Sequence, residues 1–252
     1  MMVFTLARRE LRSLFLSPLA WAILAIVQFI LAYLFISQLQ EFLLIQSKLN
    51  SIDNAPGVTE LVIVPLYGSA AFIMMLVTPL LTMRLISEER RNRSLALLIS
   101  APVSMTEIII GKYLGILGFA AIMIVMMTLM PLSLYFGGTL DGGLLFTIVL
   151  GITLLFAAFI AVGLYMSSLT AQPTIAAMST FGMLLMLWII DWAGGKADAS
   201  ASGVLEYLSM LRHFEAFSKG VFNSSDFVYY VLFISLFLIL SIRRLDGDRL
   251  QR

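Results

Sequence analysis

The 252-residue sequence has no cysteine and a single histidine, His213. Disulfides, thiolate chemistry and cysteine-based metal sites are excluded at once. One histidine also excludes a histidine-based metal site within one chain, and with it the H-E-x-x-H helix of zinc proteases. Charge is scarce as well: 12% of residues are charged, about half the fraction of a soluble domain. A phosphate cradle of the G-x-x-x-x-G-K-[ST] type is missing. Around Gly111-Lys112 the motif's first glycine is Thr106, and its hydroxyl position is Tyr113. The chain is therefore read as a non-enzyme without a cofactor of its own.

What is present is oil. Apolar residues make up 60% of the chain, and its mean hydropathy is +0.99. Several apolar runs reach the roughly 18 residues that a helix needs to cross a bilayer. The pattern predicts an all-α integral membrane protein, one domain over residues 1–252. Six spans are expected, at residues 19–37, 64–86, 108–136, 144–168, 174–192 and 227–242. The N-terminus has arginines inside an amphipathic stretch and no small-residue cleavage site, so the first span is expected to remain in the mature chain.

Orientation follows from the basic residues. With both termini cytoplasmic, one side holds Arg8, Arg9, Arg12, Arg84, Arg90, Arg91, Arg93, Lys112, Arg243, Arg244, Arg249 and Arg252. Only Lys48, Lys196, Arg212 and Lys219 fall outside. Three connections are long: an outer loop at 38–61, an inner loop at 87–107 and an outer segment at 193–226. No internal repeat is visible, which speaks against an inverted-repeat transporter.

The first 18 residues read as an interfacial helix. Phe4, Ala7, Leu11, Leu14 and Phe15 recur at helical spacing, with Arg8, Arg9 and Arg12 on the other face. Such a helix lies on a leaflet with its arginines among the headgroups. The alternative is a helix packed on a soluble partner.

The inner loop concentrates charge: Glu88, Glu89, Arg90, Arg91 and Arg93 directly follow the second span. Ser94 is a fair N-cap for a short helix carrying Leu95, Leu97, Leu98 and Ile99, which Pro102 stops. Ser104 and Glu107 then form a capping-box pair for a helix running on as the third span. The short helix has an apolar side and no membrane depth in which to hide it.

The run "EERRNRSLALLISAPVSMTEIIIGK" resembles the signature loop of type-2 ABC exporter (ABC-2) permeases. Glu88, Glu89, Ser94, Leu97, Leu98, Pro102, Glu107, Gly111 and Lys112 match. Arg93 and Ala96 depart, standing where that family usually has glycine and glutamate. "RRELRSLFLSPLAW" resembles the family's opening helix, and residues 208–231 its re-entrant outer segment. Within the family the chain looks closest to small permeases of gliding-motility type and of nitrous-oxide-reductase-maturation type. The resemblance implies a bacterial inner-membrane subunit with a cytoplasmic coupling helix. Residues Glu88, Glu89, Arg90, Arg91, Arg93, Ser94, Leu97, Leu98 and Pro102 would then meet a separate ATPase that binds ATP and Mg. A second permease chain, self or paralogue, is also implied.

Other features have plainer readings. His213 is expected to be a structural polar residue. Asp191, beside Trp188 and Trp192, is expected at a hydrated interface. The methionines between Met123 and Met130 point all round one helix, which suits packing better than Cu(I) ligation. Gly111, Gly115 and Gly118 mark a close helix contact, within the chain or at a dimer seam. Two rival functions remain: an ATP-independent secondary transporter, and a scaffold driven by an ATPase without transport. The first needs ionisable groups at mid-membrane, where only neutral residues such as Gln28, Thr78 and Thr128 are expected. An extracytoplasmic accessory protein is a further possible partner, and nucleic acid is not. Nearly uncharged spans suit apolar or neutral cargo, or a path that only transmits movement.

Overall fold

Leucine, isoleucine, methionine and alanine runs broken by few prolines favour helices, and in lipid a helix alone satisfies its own backbone. The computed structural model describes residues 2–49, 56–92, 103–136, 140–194 and 209–250, and these are helical with short connections. The elements are α1 (Met2–Leu16), α2 (Pro18–Leu49), a π turn (Thr59–Ile63) leading into α3 (Val64–Thr82), and α4 (Ser87–Arg91). They continue with α5 (Met105–Leu132), α6 (Gly142–Leu169), α7 (Pro173–Gly194), α8 (Met210–Ser218) and α9 (Ser224–Leu250). Six of the helices are long and apolar enough to cross a membrane. The protein is an all-α, multi-pass membrane protein.

The α6 helix is the hub of the bundle. It touches α3, α5, α7, α8 and α9, and 72% of its apolar window is buried, against 17% for α7. A helix that is apolar all round belongs inside, and Ile152, Leu155, Ala158, Ile160 and Ala161 are fully covered. Small residues bring the neighbours close: a Cβ added at Gly163 would fall 2.2 Å from Thr82 Oγ1 on α3. Hydroxyls within the spans are satisfied locally, as a dry environment demands. Thr78 donates to the Met74 carbonyl at 2.6 Å, Thr82 to Thr78 at 2.8 Å, and Tyr113 to Ala157 at 3.1 Å.

The α2 helix departs from expectation. It continues to Leu49, three turns past the span expected to end at residue 37. The reason is local: Gln38, Gln40, Glu41 and Gln46 are adequate helix formers, and no glycine or proline intervenes before Pro56. Apolarity ends before the helix does. What was expected as the start of an outer loop is therefore helix, with Phe42 buried and Leu44 exposed.

Opposite ends of the bundle differ. At one end lie Lys112, α4 and the C-terminal part of α9, with its arginines. At the other, α8 packs on the first half of α6, where Gly151 leaves room for Phe217. The α8 helix is capped at both ends. Ser209 Oγ accepts from the Arg212 amide at 3.2 Å. A Schellman turn closes it, Val221 N to Ala216 O and Gly220 N to Phe217 O, both 3.1 Å, with Gly220 at φ 76° as that turn requires. His213 is buried there; its Nδ1 lies 2.6 Å from Asp226 Oδ1 and its ring stacks on Tyr229 at 4.0 Å. The lone histidine thus ties α8 to the first turn of α9.

Candidate functional site

The site is built on the contact between α1 and α5. Gly111, Gly115 and Gly118 form a groove along α5, and α1 fills it. A Cβ at Gly111 would lie 2.7 Å from Leu6 Cβ, and one at Gly115 2.6 Å from Glu10 Cβ. At Gly118 the nearest atom, Leu11 Cδ1, would be 3.4 Å away. The glycine stripe is an intrachain contact. Contacts advance in the same direction on both helices, ending with Phe15 against Phe119 at 5.5 Å, so α1 leans along α5. Leu11, Leu14 and Phe15 pack on the core, not on lipid as the interfacial reading placed them, and Leu6 packs beside them. Phe4, 76% exposed, points away from the protein, and Arg8 and Arg12 are exposed.

The second component is α4, which holds most of the described charge of the inner loop. Its N-cap position is Ile86, whose side chain cannot cap it, so its first amides would be orphaned. Ser167, from the end of α6, supplies the cap: its Oγ accepts from Ile86 N at 3.1 Å and Ser87 N at 3.2 Å. The same hydroxyl lies 3.2 Å from Met83 O as a donor. In return Arg90 Nη2 donates to Ser168 O at 2.8 Å, placing a cation at the negative end of α6. Ser167→Ala should cost about 1 kcal/mol, the usual worth of an N-cap. Amide exchange across α4 should then be roughly fivefold faster by mass spectrometry.

Lys112 joins the two components. Its side chain is 3% exposed, and its Nζ lies 2.8 Å from Glu10 Oε1 and 2.7 Å from Glu89 Oε1. Arg9 completes the group at 3.5 Å from Glu10 and 3.6 Å from Glu89. Among the described residues two cations and two anions meet here, and such balance is the condition for burying charge at a tolerable cost. One ammonium thereby holds α1, α4 and α5 together. The α5 helix is fixed from its first turn: Ser104 Oγ accepts from Glu107 N at 3.2 Å, and Glu107 Oε2 accepts from Ser104 N at 3.1 Å. That is the capping box the sequence predicts.

Among the sequence-predicted residues, Glu89, Arg90 and Lys112 converge here. Glu88 and Arg91 form a more exposed pair at 3.8 Å. Arg93, Ser94, Leu97, Leu98 and Pro102 lie outside the described residues, as do the side chains of Asp191 and Trp192. Met123 and Met127 are buried while Met126 is exposed, so the methionines do surround the helix. Glu10, Ser167 and Ser168 were missed. Glu10 had a signal: it is the single acid among arginines on α1. The serines had none.

The platform therefore consists of two anchored helix ends, α4 and the start of α5, with residues 93–102 between them. No curated protein matches the chain. Residues 4–248, nearly its whole length, match the family model of ABC-2 family transporter proteins, and the chain belongs to that family.

Proposed function

We propose that the chain is the membrane subunit through which a separate ATPase drives export, or mechanical work, across a bacterial inner membrane. The observation that carries this reading is the anchoring on either side of residues 93–102. Force applied to that segment passes to α1 and α5 through Lys112, and to α6 through Ser167 and Arg90. The bundle's hub helix is thus reached in one step. Leu97 and Leu98 supply the apolar face that seats on the ATPase, which also binds ATP and Mg. The basic residues gathered at the Lys112 end support a topology with that end, and both termini, facing the cytoplasm.

Two copies of the chain, or the chain and a paralogue, form the pathway with two ATPases. The sparsely covered α7 supports such a partner, since its apolar faces are otherwise left to lipid. The sequence resemblance favours the gliding-motility or nitrous-oxide-reductase-maturation branch, where an extracytoplasmic accessory protein fits the end bearing α8.

The test is Leu97→Arg with Leu98→Arg in the tagged chain, purified from native membranes in mild detergent. The parent chain should bring down a P-loop ATPase in near-equal amount. The double variant should insert normally and lose it. Undiminished co-purification would overturn the assignment of residues 93–102.

A further inference from the structure

Next to the Lys112 group, α1 turns into α2 at Ser17-Pro18, and the bend opens a cavity of about 380 Å³ against α3 and α4. Its membrane-side wall is apolar, formed by Leu14, Leu19, Leu80 and Leu81. Leu80 is 44% exposed although it sits on a spanning helix. The rim is charged. Four of its charges, on Arg9, Glu10, Glu89 and Lys112, already neutralise one another. Two others are less committed. Arg84, exposed at the end of the second span, has no ion pair among the described residues. Among the described residues Glu88 has only the exposed contact with Arg91 at 3.8 Å, a kind of pair worth little.

We infer that this cavity holds the headgroup of a zwitterionic aminophospholipid from the adjoining leaflet, its phosphate on Arg84 and its ammonium on Glu88. A site with one available cation, one available anion and an apolar lower wall complements that molecule in charge and polarity. Free inorganic phosphate would leave the leucines and Glu88 unused. An anionic lipid would set its second polar group against Glu88 without a charge to match. The volume suits a headgroup and its glycerol, with the acyl chains remaining in the bilayer past Leu80. The inference does not depend on the ATPase reading, only on this end meeting a membrane surface.

The purified chain, stripped of lipid in detergent, is titrated separately with phosphatidylethanolamine, phosphatidylglycerol and inorganic phosphate. Thermal unfolding and native mass spectrometry are followed. Phosphatidylethanolamine should raise Tm and appear as a single adduct per chain. Arg84→Gln should weaken that binding by roughly tenfold, the worth of one charge-assisted contact. Glu88→Gln should remove the preference over phosphatidylglycerol, and Arg212→Gln at the opposite end should leave the lipid adduct unchanged. Equal stabilisation by phosphatidylglycerol or inorganic phosphate in the parent chain would overturn the inference. So would an unchanged adduct in Arg84→Gln.

Discussion

Replacing Lys112 with methionine should cost about 3–5 kcal/mol, the usual penalty for removing one partner of a buried ion pair. Glu10 and Glu89, only 15% and 17% exposed, would face each other without the ammonium between them. Arg9 is 55% exposed and stands at 3.5 and 3.6 Å, so it cannot replace an ammonium at 2.7 Å. The two carboxylates relax by separating, which frees α1 from α4. A thermal scan in detergent should show the loss of stability. The absence of cysteine gives a second readout: a single cysteine introduced at Leu6, on the face of α1 packed against Gly111, should react slowly with a maleimide in the parent. In Lys112→Met it should react quickly. Adding Glu10→Gln and Glu89→Gln should recover part of the stability, because a polar neutral group costs less to bury than an unpaired charge. Unchanged Leu6 labelling in the methionine variant would show that α1 is held by packing alone.

That dependence on one lysine explains what the sequence could and could not reveal. The spans were legible because bilayer thickness imposes a long apolar run on each of them. The capping box at Ser104 and Glu107 was legible because it is written in four consecutive residues. The length of α2 was not, since hydropathy marks where oil ends and the helix continues through glutamines. Lys112 was recognised only as part of a signature. Its partners lie 102 and 23 residues away in sequence, and no periodicity connects them. Ser167 is harder still: a serine at the end of an apolar run looks like a boundary, and only the fold brings it to the uncapped start of α4. Local chemistry was visible in the sequence, and long-range polar pairing was not.

The glycine stripe puts sterics and helix propensity in direct opposition. Alanine is favoured over glycine in a helix interior by about 1 kcal/mol, so propensity alone makes Gly115→Ala stabilising. The structure reverses the sign. The new Cβ would lie 2.6 Å from Glu10 Cβ and 3.0 Å from the Ala7 carbonyl oxygen, and neither is the end of a flexible side chain. Therefore α1 must lift, and Glu10 leaves Lys112 as it does. Overpacking costs roughly 1–3 kcal/mol, and the strained ion group adds to it. Gly118→Ala, whose Cβ would meet Leu11 at 3.4 Å, should be close to neutral. Gly182→Ala on α7, with nothing within 4 Å, should stabilise slightly. Thermal unfolding of the three variants distinguishes the contributions, and a neutral Gly115→Ala would mean that α1 does not sit as close as described. Combined with Lys112→Met, Gly115→Ala should cost less than the sum of the two single losses, by about 0.5–3 kcal/mol. Once the lysine is gone, lifting Glu10 breaks nothing further. Simple additivity would separate the groove from the ion group; coupling would make α1, α4 and α5 one mechanical unit.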